Sequence, residues 1–236
     1  MFYYSSKKND GEVIRKLQDL AEKKPNEGQD KFYDRIRGEG LPWNYKRVRR
    51  VYKLLGMHKR KRIRKRIPSR VKSPLLQPDY CNKNWSIDFM SDALQNGRKF
   101  RTLNIIDDYN RKALWIEPGF SMPSKAVTKI LEQAIREHGK PETIRSDNGP
   151  EFISADFTDW CKENEIIIQY IQPGKPMQNG FIERFNRTYR QDVLDANLFE
   201  DIMQVRVLTE EWMDDYNNQR PHESLGGKPP SKFKAA

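Results

Sequence analysis

Apolar residues recur at helical spacing near the start of the chain and predict three short helices. The first, Glu12–Lys24, carries its apolar residues three or four positions apart and stops at Pro25. The second spans Asp30–Arg37. The third follows Asn44, a residue type that caps helix N-termini, and closes at Gly56. Three short helices with a basic last helix are typical of a helix-turn-helix unit, and the alternative is a small bundle that only packs on a neighbouring domain.

Beyond residue 80 the pattern changes to strands and then to alternating helices and strands. Three hairpin-like strands come first, followed by two helix–strand units and two further helices. The predicted strands are Trp85–Leu94, Phe100–Tyr109, Ala113–Gly119, Thr143–Arg145 and Ile166–Ile171, and the predicted helices are Ser124–His138, a helix capped by Ser154 and running through Asn164, Gln178–Asn197 and Glu200–Tyr216. The pattern alone predicts an α/β domain of no particular family.

The predicted helix Gln178–Asn197 has two distinct stripes. Its apolar stripe is formed by Ile182, Phe185, Tyr189 and Val193. An adjoining stripe carries one carboxylate, one amide and two cations, namely Glu183, Asn186, Arg187 and Arg190. One side of this helix can therefore pack while the other presents polar groups.

The charge distribution points to a polyanionic partner. The 236 residues include 44 Lys and Arg against 33 Asp and Glu, a net charge of +11. Fourteen of the cations fall within Lys46–Lys72, which contains no acid. Such a block usually binds nucleic acid, and the alternative is a solvated tail. The residues expected to contact phosphates here are Arg47, Arg50, Arg60, Lys61, Arg62, Arg64, Lys65 and Arg66.

These patterns predict four segments: a helix-turn-helix-like domain at 1–66, a basic, Pro-containing linker at 67–79, a core at 80–197, and a C-terminal helix and tail at 198–236. Cys81 and Cys161 show no metal or disulfide spacing, so a reduced intracellular, cytoplasmic protein is expected. No apolar run is long enough to span a membrane.

Three acids are candidates for a divalent-metal site. Asp88 lies in a strand that is expected to be buried, Asp147 follows the next-to-last predicted strand, and Glu183 lies one turn into a helix. An isolated buried carboxylate is costly, and a metal ion would compensate its charge. Oxygen ligands suit Mg²⁺ or Mn²⁺. Taken singly, each acid is more readily explained as a turn, cap or surface residue than as a metal ligand. Asp107 and Asp108, which close a strand, are not expected to bind metal.

Several longer motifs resemble those of bacterial insertion-sequence transposases of the IS-three family, specifically its second-reading-frame product. The motifs are Trp85-Ser-Ile-Asp-Phe, Ser146-Asp-Asn-Gly-Pro-Glu-Phe, Gln178-Asn-Gly-Phe-Ile-Glu-Arg-Phe-Asn and Tyr216-Asn-Asn-Gln-Arg-Pro-His-Glu-Ser-Leu-Gly-Gly. The 35 residues between Asp147 and Glu183 match the retroviral-integrase-like DDE pattern.

The resemblance implies a ribonuclease H-like core, a mixed five-stranded sheet flanked by helices, with Asp88, Asp147 and Glu183 as catalytic ligands of two Mg²⁺ or Mn²⁺ ions. It implies DNA strand cleavage by water and strand transfer by a 3′-hydroxyl, on insertion-sequence terminal repeats and target DNA. Further DNA contacts are expected at Lys175, Asn179, Asn186, Arg187 and Arg190.

The resemblance also implies partners and leaves two alternatives open. The expected partners are double-stranded DNA, a second copy of the chain in a dimer on DNA, and the family's first-reading-frame portion. The alternatives are a nuclease on the same fold that does not transfer strands, and a DNA-binding regulator that competes with a full transposase. The same acids serve cleavage and transfer, so the sequence separates these functions poorly.

Overall fold

A computed structural model describes residues 9–57, 75–172 and 179–233. The described residues form two compact units. One contains 9–57 together with 221–227, and the other contains 75–172, 179–220 and 228–233. The segment boundaries derived from the sequence stay a prediction. The grouping of 221–227 with the N-terminal helices is a feature that the sequence pattern did not indicate.

The first unit is built from three helices around a small apolar core. They are α1 (Gly11–Lys23), α2 (Gln29–Gly38) and α3 (Tyr45–Leu54), which confirms the three predicted helices. Asn44 caps α3 as predicted, since its side chain accepts a hydrogen bond of 2.8 Å from the Arg47 N–H. The fully buried core residues are Val13, Leu17, Ile36, Val48 and Val51.

The second unit contains a mixed five-stranded sheet in the order β3-β2-β1-β4-β5. β1, β2 and β3 pair antiparallel, whereas β4 and β5 run parallel to β1. Their bounds are Asn84–Ala93, Lys99–Asp107, Ala113–Gly119, Thr143–Ser146 and Ile167–Tyr170. All five predicted strands are confirmed, each with ends within two residues of the prediction.

Helices pack on both faces of this sheet, because alternate residues of β1 and β2 enter two separate apolar cores. Trp85, Ile87, Leu103 and Ile105 face α4 (Ser124–His138), α5 (Pro150–Ile153) and α6 (Ala155–Glu163). Met90, Phe100 and Ile106 face α7 (Gly180–Tyr189) and α8 (Ile202–Asn218). Asp88 therefore points to the α7 side of the sheet. None of the described helices is long and apolar enough to cross a bilayer.

The predicted helix Gln178–Asn197 differs from the structure. Gln178 lies outside the described residues, α7 ends at Tyr189, and a π-helical turn, Arg190–Leu194, follows it. The widened turn is closed by the Asp195 N–H, which donates to the Arg190 carbonyl at 2.7 Å. The apolar spacing did not reveal this turn because a single widened turn buries Val193 just as a regular α-helix would. The short helix α5 was also not predicted.

Candidate active site

Asp88 is held on the α7 side of β1 by two hydrogen bonds. The backbone N–H of Phe89 donates to its Oδ1 at 2.8 Å, and Asn186 Nδ2 donates to its Oδ2 at 2.7 Å. Burial raises the pKa of Asp88 to about 6, the Phe89 N–H opposes this rise, and the negative charges of Asp147 and Glu183 add to it. Asp147 and Glu183 thus both lie within electrostatic range of Asp88.

The carboxylates of Asp147 and Glu183 lie close enough to affect Asp88, but the three carboxylates do not converge on one point in the described structure. Asp147 and Glu183 are exposed, whereas Asp88 is half-buried. Within residues 9–57, 75–172 and 179–233, no three His, Cys, Asp or Glu side chains are close enough to hold a metal ion as they stand. A divalent cation would nevertheless fit this donor set, because it would offset the repulsion on a half-buried carboxylate and take oxygen ligands.

Asp147 lies in a turn at the end of β4. Its Oδ1 accepts a hydrogen bond of 3.0 Å from the Gly149 N–H. A Cβ at Gly149 would lie 3.0 Å from that oxygen and 3.4 Å from the Phe152 ring, so a side chain there would crowd the turn. The close approach accounts for glycine at this position.

The helix that follows Asp147 is anchored to the sheet. Phe152 is fully buried and stacks on Phe89 with 5.2 Å between ring centroids. Its carbonyl accepts a hydrogen bond of 2.7 Å from the Tyr170 hydroxyl. Arg101 pairs with Glu151 and lies 3.8 Å from the centroid of the Phe89 ring. Arg101 and Glu151 thus link α5, the helix that follows the Asp147 turn, to the sheet, a contact that no local sequence pattern indicated.

Glu183 lies in the first turn of α7, and its neighbours on that helix differ in their contacts. Arg187 is exposed and has no hydrogen-bond or ion-pair partner among the described residues. Arg190 donates to the Ser91 carbonyl at 2.9 Å and lies 3.6 Å from carboxylate oxygens of Asp92 and Asp195. Asn186 is buried, and its side chain donates to Asp88.

The remaining predicted DNA contacts are placed as follows. Arg47 and Arg50 both pair with Asp10, at 3.1 and 2.6 Å. Asn179 is buried at the start of α7. Outside the described residues lie Arg60, Lys61, Arg62, Arg64, Lys65, Arg66 and Lys175.

Asp107 and Asp108 are both engaged by neighbouring groups of the protein. Asp107 accepts hydrogen bonds from the N–H groups of Asn82 and Tyr109, at 2.9 and 2.8 Å. Asp108 is fully buried; it accepts from the Ser86 hydroxyl at 2.6 Å and pairs with Arg145 at 2.8 Å. Burial raises the pKa of Asp108 to about 6, although Arg145 opposes this shift.

Models of the integrase core domain match residues 80–176 and 164–230. A 31.7 kDa protein of insertion element IS407 from Burkholderia multivorans is 34% identical over 236 residues, which cover all of this chain and 85% of the relative. A 39.2 kDa protein of insertion element IS476 from Xanthomonas euvesicatoria is also 34% identical, over 93% of this chain and 64% of the relative. The transposase of IS629 from Shigella sonnei is 28% identical over 64% of the chain and 51% of its own length.

Two solved structures confirm the predicted ribonuclease H-like fold. The simian T-cell lymphotropic virus intasome chain matches 93% of this chain and 73% of its own length, at 17% identity and a TM-score of 0.59. The magnesium-bound HTLV-2 integrase catalytic core, in its trimeric form, matches 65% of this chain and 97% of its own length, at 19% identity and a TM-score of 0.50. The family assignment rests on the mixed five-stranded sheet, the two matched models of the integrase core domain and the insertion-element relative aligned over all 236 residues. The chain therefore belongs to the bacterial insertion-sequence transposases of the retroviral-integrase-like superfamily, a class of polynucleotidyl transferases.

Proposed function

We propose that Asp88, Asp147 and Glu183 hold two Mg²⁺ or Mn²⁺ ions and that this site cleaves and joins DNA at insertion-sequence ends. The observation that carries the proposal is the half-buried Asp88 carboxylate, which Asn186 and the Phe89 N–H hold on the α7 side of β1, with Asp147 and Glu183 near enough to raise its pKa. Divalent ions in such a site activate an attacking oxygen and stabilise the leaving oxygen of phosphoryl transfer.

The chain's own residues would orient these ligands. Asn186 and the Phe89 N–H hold the Asp88 carboxylate, and the Gly149 N–H holds that of Asp147. Glu183 is exposed on a rigid helix, where a small rotation of its side chain changes the ligand distance without disturbing the core.

DNA is the proposed partner because the protein carries a net charge of +11 and DNA is a polyanion. The proposed contacts are insertion-sequence ends and target duplex, bound through the basic block 60–66 and through the cations of α7. The similar chain from the simian virus belongs to an intasome, and the HTLV-2 core has been solved as a trimer. A dimer on DNA is proposed for this chain, and the first-reading-frame portion is a proposed further partner.

Replacing Arg187 with Ala is expected to lower joining of a pre-cleaved end about tenfold or more while leaving thermal stability unchanged. The side chain is exposed and unpaired among the described residues, and a guanidinium can grip a phosphate bidentately. Arg190→Ala should lower joining and also reduce stability slightly, because Arg190 bonds the Ser91 carbonyl. The measurements are product sizing and thermal unfolding.

A matched control for Arg187→Ala is Arg136→Ala. Arg136 is an exposed arginine on α4, across the sheet from α7, and its removal should leave joining intact. If Arg187→Ala joins as well as the wild type, the DNA end lies along another face of the protein.

Neutralising the six cations Arg60, Lys61, Arg62, Arg64, Lys65 and Arg66 is expected to weaken binding to specific and random duplex alike. Each lost phosphate contact should flatten the plot of log affinity against log salt by roughly 0.9. Changing only the four arginines to Lys keeps the charge and should preserve the slope. An unchanged slope after neutralisation would place the block away from DNA.

The joining assay also separates the proposal from its alternatives. A nuclease would give cleaved products without joined ones, and a regulator would give neither while still binding DNA. Joined products that require Mg²⁺ or Mn²⁺ support the proposal over both.

A further inference from the structure

A fully buried polar residue, Asn104, lies on β2 directly opposite Asp88 on β1. Its Nδ2 donates to Asn186 Oδ1 at 2.7 Å, and Asn186 Nδ2 donates in turn to Asp88 Oδ2 at 2.7 Å. The side-chain amides of Asn104 on β2 and Asn186 on α7 thus form two successive hydrogen bonds that lead to the Asp88 carboxylate on β1.

The ionised Asp88 carboxylate determines which amide atoms donate and which accept in these two hydrogen bonds. A carboxylate only accepts hydrogen bonds, so Asn186 must turn its Nδ2 towards Asp88. Asn186 Oδ1 then faces β2, where it needs a donor because the residue is buried. Asn104 Nδ2 supplies that donor. An apolar or acceptor-only residue at position 104 would leave Asn186 free to rotate or flip away from Asp88.

Asn104 does not fit the role of a residue kept for stability. It lies on the face of β2 that carries Phe100 and Ile106 into the apolar core beneath α7. Its own Oδ1 is buried and has no hydrogen-bond partner among the described residues. The cost of that unsatisfied acceptor offsets much of what the Asn104–Asn186 hydrogen bond contributes to stability, so stability alone does not account for an amide at this position.

We propose that Asn104 is a positioning residue, whose amide holds Asn186 and thereby fixes the Asp88 carboxylate in the orientation that ligates a divalent metal. The proposal rests on the proposed function of Asp88 as a metal ligand. Asn104 itself touches neither metal nor DNA; it acts through one intervening side chain. Groups that hold a ligand in this way typically change metal affinity or activity by about 10- to 100-fold when removed.

The test compares Asn104→Leu with a matched control, Thr102→Val. Thr102 lies two residues earlier on the same face of β2, is fully buried, and has an unpartnered Oγ1 within the described part of the chain. Both substitutions therefore remove a buried polar group without changing the shape greatly. Thr102→Val should keep wild-type Mn²⁺ affinity and joining activity.

For Asn104→Leu we expect a modest loss of melting temperature, because Asn186 Oδ1 loses its donor, together with Mn²⁺ affinity by calorimetry weaker by about tenfold and a lower kcat for joining with unchanged DNA affinity. A merely structural residue would lower the melting temperature and leave Mn²⁺ affinity unchanged. Should Leu prevent folding, Asn104→Val is the substitute; failure of both to fold would assign Asn104 to the core and overturn the proposal.

An Asp88→Asn variant in the same series separates the positioning role from the metal site itself. If Asp88→Asn loses Mn²⁺ binding and joining while Asn104→Leu retains both, the positioning role of Asn104 is wrong and the metal site stands. If Asp88→Asn itself retains both, the proposed function fails.

Discussion

Asp88→Asn is expected to lower strand cleavage and joining by about 1,000-fold or more, because a metal ion contributes several kcal/mol to transition-state stabilisation. DNA affinity should stay close to that of the wild type, since the basic block provides most of the binding free energy. The same substitution should raise the stability of the metal-free protein at pH 8, because it removes a half-buried charge that faces two other acids.

The sign of the pH dependence follows from the raised pKa. Folded Asp88 has a pKa of about 6 against an ordinary value of 3.8, so the folded protein binds the proton more tightly than the unfolded chain. The contribution of Asp88 to stability is therefore most favourable below pH 3.8 and is lost as the pH rises through about 6. The advantage of Asp88→Asn should be present above pH 6 and fade towards pH 4. Thermal unfolding across this range measures it, and equal melting temperatures at pH 8 would contradict it.

Arg145→Met is expected to cause a larger loss of stability than any of the substitutions at the metal site, about 3–5 kcal/mol, since it leaves a buried carboxylate without its cation. Among the residues that the structure describes, Asp108 would keep only the Ser86 hydroxyl as a side-chain hydrogen-bond donor. Urea unfolding at pH 8 measures the effect.

Two controls identify the cause of that loss. The double variant Arg145→Met with Asp108→Leu should be more stable than Arg145→Met alone, because the Asp108 carboxylate is no longer buried without the cation that pairs with it. In Arg145→Met the pKa of Asp108, already about 6, should rise further, so the deficit should shrink as the pH falls and Asp108 becomes protonated. A deficit that is equally large at pH 5 and pH 8 would point to lost packing of the Arg145 side chain instead.

The local pattern of the sequence predicted most elements because each depends on neighbouring residues. Helical spacing located α1 and α4, and alternation located β1. The π-helical turn Arg190–Leu194 was not predicted, because the change of its backbone hydrogen bonds to an i, i+5 pattern leaves the apolar spacing of the sequence unchanged.

The supporting contacts of the site could not be predicted for a different reason. Asn186 meets Asp88 from 98 residues away, and Arg145 meets Asp108 from 37 residues away. Such pairs depend on how the strands and helices pack, and no local spacing encodes them. The three acids were predictable only as a combination, since each alone resembles an ordinary turn, cap or surface residue.

The central claim is that Asp88, Asp147 and Glu183 together hold the metal ions for strand transfer. Its most direct test incubates purified wild type, Asp88→Asn, Asp147→Asn and Glu183→Gln with a labelled pre-cleaved insertion-sequence end, target DNA and Mn²⁺, and sizes the products. Joined products from the wild type and none from the three variants, with DNA binding intact in all four, is the predicted result. Undiminished joining by Glu183→Gln would contradict the claim.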